Sequence, residues 1–305
     1  MILITAPAHP YLIKILLAKG YEVEYRPDIG YDELFSLAPS VEGLIVTTRL
    51  RVDKSLIDKA PKLKWIGRLG SGMELIDVDY ARAKNIICQS SPEGNRVAVA
   101  EHALGMLIAL QKNIVKSNEE VKHNRWLRVE NRGVEISGKT IGIIGYGNTG
   151  SSFAKLLSGF DVTLLVFDKY KFNFGTGNIK EANLEQICRY ADVISFHIPL
   201  TNETYRMAEN DFFNALINRP VILNTSRGGV INTSSLLMAL ENEKISGAGL
   251  DVLENEVLSS YTPEENKILE HLNAHPRVII TPHIAGYSHE AYLKMSTVLI
   301  EKLNL

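Results

Sequence analysis

Short apolar runs alternate with amphipathic stretches along the whole chain, and the alternation predicts strands followed regularly by helices. In the first ninety residues strands are expected over 2–5, 22–25, 43–47 and 86–88, with another apolar run over 63–69. Helices are expected between them over 11–19, 32–37, 54–59 and 78–84, with Gly20 ending the first and Pro61 closing the third. A long helix follows over 92–113, carrying Val97, Ala100, Ala103, Leu104, Leu107 and Leu110 at helical spacing. Its many small residues suit a crossover into a second domain, and a subunit contact. Residues 118–138 are polar around Trp126, which reads equally as a docking point and as a packing anchor.

The stretch 139–168 is the most informative. A short apolar run over 140–144 has the character of a strand buried on both faces, and Gly145, Gly147 and Gly150 follow it as G-x-G-x-x-G. A helical segment over 151–157 comes next, then a second apolar run over 162–167 that ends on Asp168. Glycines at these three places allow a tight turn, close approach to a pyrophosphate, and close helix-on-strand packing. The free N–H groups of the helix start would face the phosphates. This makes Gly145, Tyr146, Gly147, Asn148, Thr149 and Gly150 the expected dinucleotide loop. Asp168 can accept from both ribose hydroxyls and would repel a 2′-phosphate, so the expected cofactor is NAD.

The rhythm continues with helices over 184–190, 211–215 and 234–241 and strands over 193–197, 221–224, 247–251 and 278–281. In such a sheet ligands sit beyond the carboxyl ends of the strands. The residues there are His197, Pro199 and Thr204; Thr225, Ser226 and Arg227; Asp251 to Glu256; and His283 to Gly286. The expected fold is α/β, with two Rossmann-like doubly wound parallel-sheet domains and a cleft between them.

At 305 residues the chain exceeds the usual size of one core, so two domains are expected. A net charge of −2 gives no signal for nucleic acid or an acidic membrane, and no apolar run approaches a membrane span. Cys88 and Cys188 lie far apart and read as reduced thiols that fill space, while residues 1–5 form a strand and not a signal peptide. A cytoplasmic location follows from these readings. The remaining histidines, His9, His102, His123, His271, His275 and His289, show no metal-ligand grouping, and no metal is expected.

The loops, taken together, resemble the D-isomer-specific 2-hydroxyacid dehydrogenase family, which includes the D-3-phosphoglycerate dehydrogenases. The pieces are GRLGSGMELID (67–77), VAVAEHALGMLIAL (97–110), GKTIGIIGYGNTG (138–150), HIPLT (197–201), NTSRGGVIN (224–232), GAGLDVLENE (247–256) and TPHIAG (281–286), in collinear order over most of the chain. The resemblance implies a discontinuous substrate domain, 1–94 with 287–305, and an NAD-binding domain over 95–286. It also implies a catalytic arginine, glutamate and histidine at Arg227, Glu256 and His283. Arg227 offers a planar fork for a carboxylate and a 2-oxo group. His283 can exchange the hydroxyl proton, and Glu256 would orient it and favour the imidazolium. Asp251 becomes the expected partner of the nicotinamide carboxamide, and Gly286 a further cofactor contact. Substrate contacts are expected from Arg49, Ser71 and Gly72 besides Arg227 and His283. Two departures stand out: Thr47-Thr48 replaces the arginine-serine pair of the phosphoglycerate members, and Val257 replaces a proline.

The activity implied is hydride transfer between NAD and a small 2-hydroxy or 2-oxo acid, with 3-phosphoglycerate (serine biosynthesis) as the leading substrate. The alternatives are a glyoxylate/hydroxypyruvate reductase or D-lactate dehydrogenase and, in another class, an NADH-sensing corepressor-like binding protein. A homodimer through the nucleotide-binding domain is the expected assembly.

Overall fold

A computed structural model describes all 305 residues, which divide into two units: Met1–Ala98 with Gly286–Leu305, and Val99–Ala285. The first unit alternates β1 (Ile2–Ile4), α1 (Pro10–Ala18), β2 (Val23–Tyr25), α2 (Tyr31–Leu37), β3 (Gly43–Val46), α3 (Lys54–Lys59), β4 (Trp65–Arg68), α4 (Val78–Ala83) and β5 (Ile87–Ser90). All five strands are parallel, in the order β2-β1-β3-β4-β5. The run 43–46 is apolar throughout because both faces are covered. Leu44 packs with Leu34, Leu56 and Ile66 on one side, and its neighbour Ile45 with Leu12, Leu16 and Trp65 on the other. Side chains at the helix starts satisfy otherwise orphaned N–H groups: Asp53 accepts from Leu56 N at 3.0 Å, and Asp77 from Tyr80 N at 3.0 Å.

The boundary between the units falls inside α5 (Pro92–Gln111). The second unit continues with α6 (Ile114–Lys122), β6 (Thr140–Ile144), α7 (Asn148–Leu157), β7 (Thr163–Phe167), β8 (Ile179–Glu181) and α8 (Leu184–Tyr190). Then come β9 (Val193–Phe196), α9 (Asn210–Asn214), β10 (Val221–Asn224), α10 (Thr233–Glu241), β11 (Gly247–Leu250), α11 (Pro263–Ala274) and β12 (Val278–Ile280). The last helix, α12 (His289–Leu303), returns to the first unit, where Leu299 joins Ile45 and Trp65 and Lys302 Nζ meets the Glu93 carboxylate at 2.8 Å.

The second sheet has seven parallel strands in the order β12-β11-β10-β9-β6-β7-β8. Strand order reverses between β6 and β9, the switch point at which doubly wound sheets bind ligands. Its register puts Phe167, Ile144, Phe196, Asn224, Leu250 and Ile280 on one line across the sheet. The next residue of each strand is therefore Asp168, Gly145, His197, Thr225, Asp251 or Thr281. One edge of one sheet gathers them.

Three elements differ from the sequence reading. Helix α6 occupies the start of the stretch read as polar. Strand β8 is an edge strand of three residues, defined by its pairing with β7. Helix α11 buries only Leu272, so its apolar face is nearly absent; its start is marked by a capping box, Thr262 with Glu265. No helix is long and apolar enough to cross a membrane.

Candidate active site

The glycine turn after β6 shows which of its glycines the protein itself needs. Gly145 has φ +98°, and a Cβ there would lie 2.4 Å from the His197 carbonyl oxygen. A Cβ on Gly150 would lie 2.0 Å from the carbonyl oxygen of Gly145, so α7 can sit on β6 only without it. Gly147 is different, since a Cβ there would meet nothing within 4 Å. Gly147 also N-caps α7 without a side-chain hydrogen bond, which leaves the first-turn N–H groups for an anion. At the end of β10, Thr225 Oγ1 is buried with no hydrogen-bond partner. An open turn, uncapped N–H groups and an orphaned hydroxyl at one sheet edge fit a dinucleotide.

Asp168 closes β7 and accepts three backbone hydrogen bonds: Oδ2 from Tyr146 N at 2.7 Å, and Oδ1 from Tyr170 N at 2.9 Å and Lys171 N at 3.1 Å. Its charge is thus held beside the glycine turn. Both neighbouring lysines are engaged, Lys169 with Glu203 and Lys171 Nζ with the Tyr146 carbonyl at 2.7 Å. The His197 ring turns inward, between Ser195 Oγ at 2.9 Å and Thr149 Oγ1 at 3.3 Å, and lies against Phe153. Burial pushes it down to about 3, so it is neutral. Thr204 Oγ1 accepts from Thr201 N and donates to Pro199 O at 2.7 Å, closing the loop after β9.

Three adjacent strand ends carry Arg227, Glu256 and His283, the residues the sequence singles out for acid–base work. After β10, Asn224 Oδ1 accepts from Ser226 N and Ser226 Oγ while its Nδ2 donates to Arg227 O, which folds the backbone tightly and presents Arg227. Arg227 Nη1 donates to Ser226 O at 2.7 Å. A Cβ on Gly228 would lie 1.8 Å from Leu253 O, so this loop presses directly on the loop leaving β11. There Glu254 accepts from Arg206 Nε at 2.9 Å and from Thr233 N at 2.7 Å, anchoring the segment that ends at Glu256. After β12, His283 Nδ1 stands 2.8 Å from Glu256 Oε2. The structure thus pairs Glu256 with His283 and seats Arg227 on the neighbouring strand end.

His283 has φ +55°, a left-handed conformation that costs a non-glycine residue about 1 kcal/mol. Its surroundings hold it there: His283 N donates to Asp251 O at 2.8 Å, Ile284 N to Asp251 Oδ1 at 2.9 Å, and Ala285 N to Asp251 Oδ2 at 2.8 Å. Thr281 Oγ1 adds a bond to Oδ1 at 2.6 Å. Asp251, 1% exposed, spends its carboxylate on this loop. The sequence reading assigns no role to Asn224, Glu254 or Thr281, which appear in it only inside longer motifs. The available signal is a polar residue closing an apolar run, which Asn224 and Thr281 both are.

In the first unit, Arg49 Nη2 donates to the carbonyls of Thr5 at 3.2 Å and Ile29 at 2.6 Å. Ser71 Oγ donates to Asn95 Oδ1 at 3.2 Å, with Gly72 half-buried beside it. A Cβ on Gly286 would lie 2.8 Å from Asn95 Nδ2. The cysteines are free, and burial raises both thiols, Cys88 to about 11.

Residues 104–285 match the family model described as D-isomer specific 2-hydroxyacid dehydrogenase, NAD binding domain. The D-3-phosphoglycerate dehydrogenase of Archaeoglobus fulgidus is 30% identical over 304 residues, covering 99% of this chain and 56% of its own length. The chain spans about half the length of such curated relatives. The hydroxypyruvate reductase of Thermotoga maritima is 31% identical over 289 residues, covering 94% of this chain and 92% of its own. Among solved structures, the D-lactate dehydrogenase of Aquifex aeolicus in complex with NAD and lactic acid superposes with a TM-score of 0.86 at 25% identity, covering 99% of this chain and 95% of that one. With its nucleotide unit matched almost end to end and a relative aligned along nearly its whole length, the chain belongs to the D-isomer specific 2-hydroxyacid dehydrogenase family.

Proposed function

We propose that the protein is an NAD-dependent oxidoreductase acting on a small D-2-hydroxy acid and its 2-oxo counterpart. The observation that carries this reading is the 2.8 Å contact between His283 Nδ1 and Glu256 Oε2, on the strand ends next to Arg227. When bound, the cofactor supplies or accepts the hydride. With Nδ1 held by Glu256, Nε2 of His283 is the nitrogen that gives a proton to the carbonyl oxygen in reduction and takes it back in oxidation. Glu256 accepts at Nδ1 and so orients the ring. Arg227 pairs the substrate carboxylate and polarises the 2-oxo group.

Asp168 supports NAD over NADP, because a carboxylate beside the ribose repels a 2′-phosphate, and the two lysines that would offset it are already engaged. The leading substrate is 3-phosphoglycerate, supported by the relatives of that name. Hydroxypyruvate or glyoxylate is the second reading, favoured by Arg49, whose Nη2 is spent on the Thr5 and Ile29 carbonyls. A homodimer through the nucleotide unit is supported by the exposed Val115, Val121, Trp126 and Val129, and sedimentation as a monomer would rule it out.

The test is a panel of 2-oxo acids, 3-phosphohydroxypyruvate, hydroxypyruvate, glyoxylate and pyruvate, followed by loss of NADH and of NADPH. Turnover of one of them with NADH is expected. NADH binding without turnover of any would favour the corepressor-like reading instead.

A further inference from the structure

Histidine 102 lies on α5, outside the acid–base pair. Its Nε2 stands 2.9 Å from Thr281 Oγ1, and Thr281 Oγ1 stands 2.6 Å from Asp251 Oδ1. The direction of this chain follows from the groups themselves. An ionised carboxylate only accepts, so the Thr281 hydroxyl donates to Asp251 and must accept from the Nε2–H of His102. Asp251 then spreads its two oxygens over the N–H groups of Ile284 and Ala285, immediately after His283. Three elements, α5, β11 and β12, thus converge on the short segment that forces His283 into its left-handed backbone conformation. A strained backbone persists only where its surroundings over-determine it.

We propose that His102 and Thr281 are positioning residues for His283, acting through the Asp251 carboxylate to keep the His283 ring on Glu256. Neither touches the reacting atoms. Removing the Thr281 hydroxyl leaves Asp251 Oδ1 with one donor fewer, and the half-buried His102, whose Nε2 stands 3.6 Å from the same oxygen, can then draw the carboxylate from the loop. The 281–285 segment can then relax, and His283 leaves Glu256. This inference rests on the proposed acid–base role of His283, and its test has a readout that does not.

Two measurements on the full chain decide it: turnover, and the pH titration of the His283 ring followed by NMR, with its signal assigned by its loss in His283→Gln. Thr281→Val keeps the shape and removes the hydroxyl. It is expected to lower kcat about tenfold while KM for NADH stays within about twofold, and to move the His283 titration to the midpoint seen in Glu256→Gln. Thr281→Ser is expected to restore both. His102→Leu is expected to move the titration in the same direction by less, and it carries the test alone should Thr281→Val not fold. A His283 titration in His102→Leu and Thr281→Val that overlays wild type overturns the proposal, as does a Thr281→Ser variant that does not recover. If no 2-oxo acid is turned over but the titration moves as described, the acid–base reading fails and the positioning stands.

Discussion

Each unit of this protein places a glycine turn after an interior parallel strand, and the two turns have opposite fates. After β4, Gly70 has φ +127°, and a Cβ there would lie 1.4 Å from Arg68 Nη1. The Gly70 N–H donates to Ser91 Oγ and its carbonyl accepts from Ser91 N, so the protein's own side chains fill the turn. No helix starts there; α4 begins only at Val78. After β6, Gly147 faces open space and directly begins a ten-residue helix with no side-chain cap. Local glycine chemistry is similar in both. What separates them is whether the protein itself supplies partners for the exposed backbone.

The strongest separation is expected in the chemistry next to the open turn. His283→Ala should lower kcat by about 10²- to 10⁴-fold, the usual range for losing a general acid, while NADH binding measured by fluorescence changes little. Loss of NADH binding in that variant would mean that the glycine turn and the His283 loop are not independent.

The turns themselves can be set against each other. Gly147→Ala is expected to weaken NADH binding by about tenfold, roughly 1.4 kcal/mol, with the melting temperature nearly unchanged, because the new methyl meets only the space left for the ligand. Gly70→Ala should do the reverse, costing about 1–3 kcal/mol of stability through backbone strain and displacement of Arg68. Equal melting temperatures for the two variants would break the comparison.

Asp168→Ala should narrow the ratio of kcat/KM between NADH and NADPH, by less than the loss at Gly147, because it removes a repulsion and, at the turn, only the partner of Tyr146 N. An unchanged ratio would take cofactor choice away from Asp168.

A last effect, on stability alone, concerns His197 behind the turn. Its folded-state value, about 3, lies below the ordinary value of 6.5, so the unfolded chain binds a proton that the folded one refuses. Stability is therefore full above about pH 6.5 and falls as pH drops toward 3, by at most about 1.4 kcal/mol per pH unit. Denaturant titrations of His197→Asn should show a shallower slope over that window. A parallel slope would assign acid instability to other groups.

Much of this protein could be read along the chain because strands covered on both faces are continuous apolar runs, and the residue that ends each run stands at the sheet edge. Gly145, Asp168, His197, Thr225 and Asp251 were legible for that reason. Where burial is weak the pattern fades: β8 needs its pairing with β7, and α11 buries one leucine. The sequence by itself determined two doubly wound units and the glycine turn between β6 and α7, and its resemblance pointed to Arg227, Glu256 and His283. Only the tertiary structure decided that Gly147 is open while Gly70 is filled, and that the Asp251 carboxylate serves the His283 loop. It also decided that a histidine from α5 reaches Thr281, 179 positions away. The physical reason is that hydrogen-bond partners of this kind are set by which strands lie side by side, and a one-dimensional pattern carries burial but not neighbours.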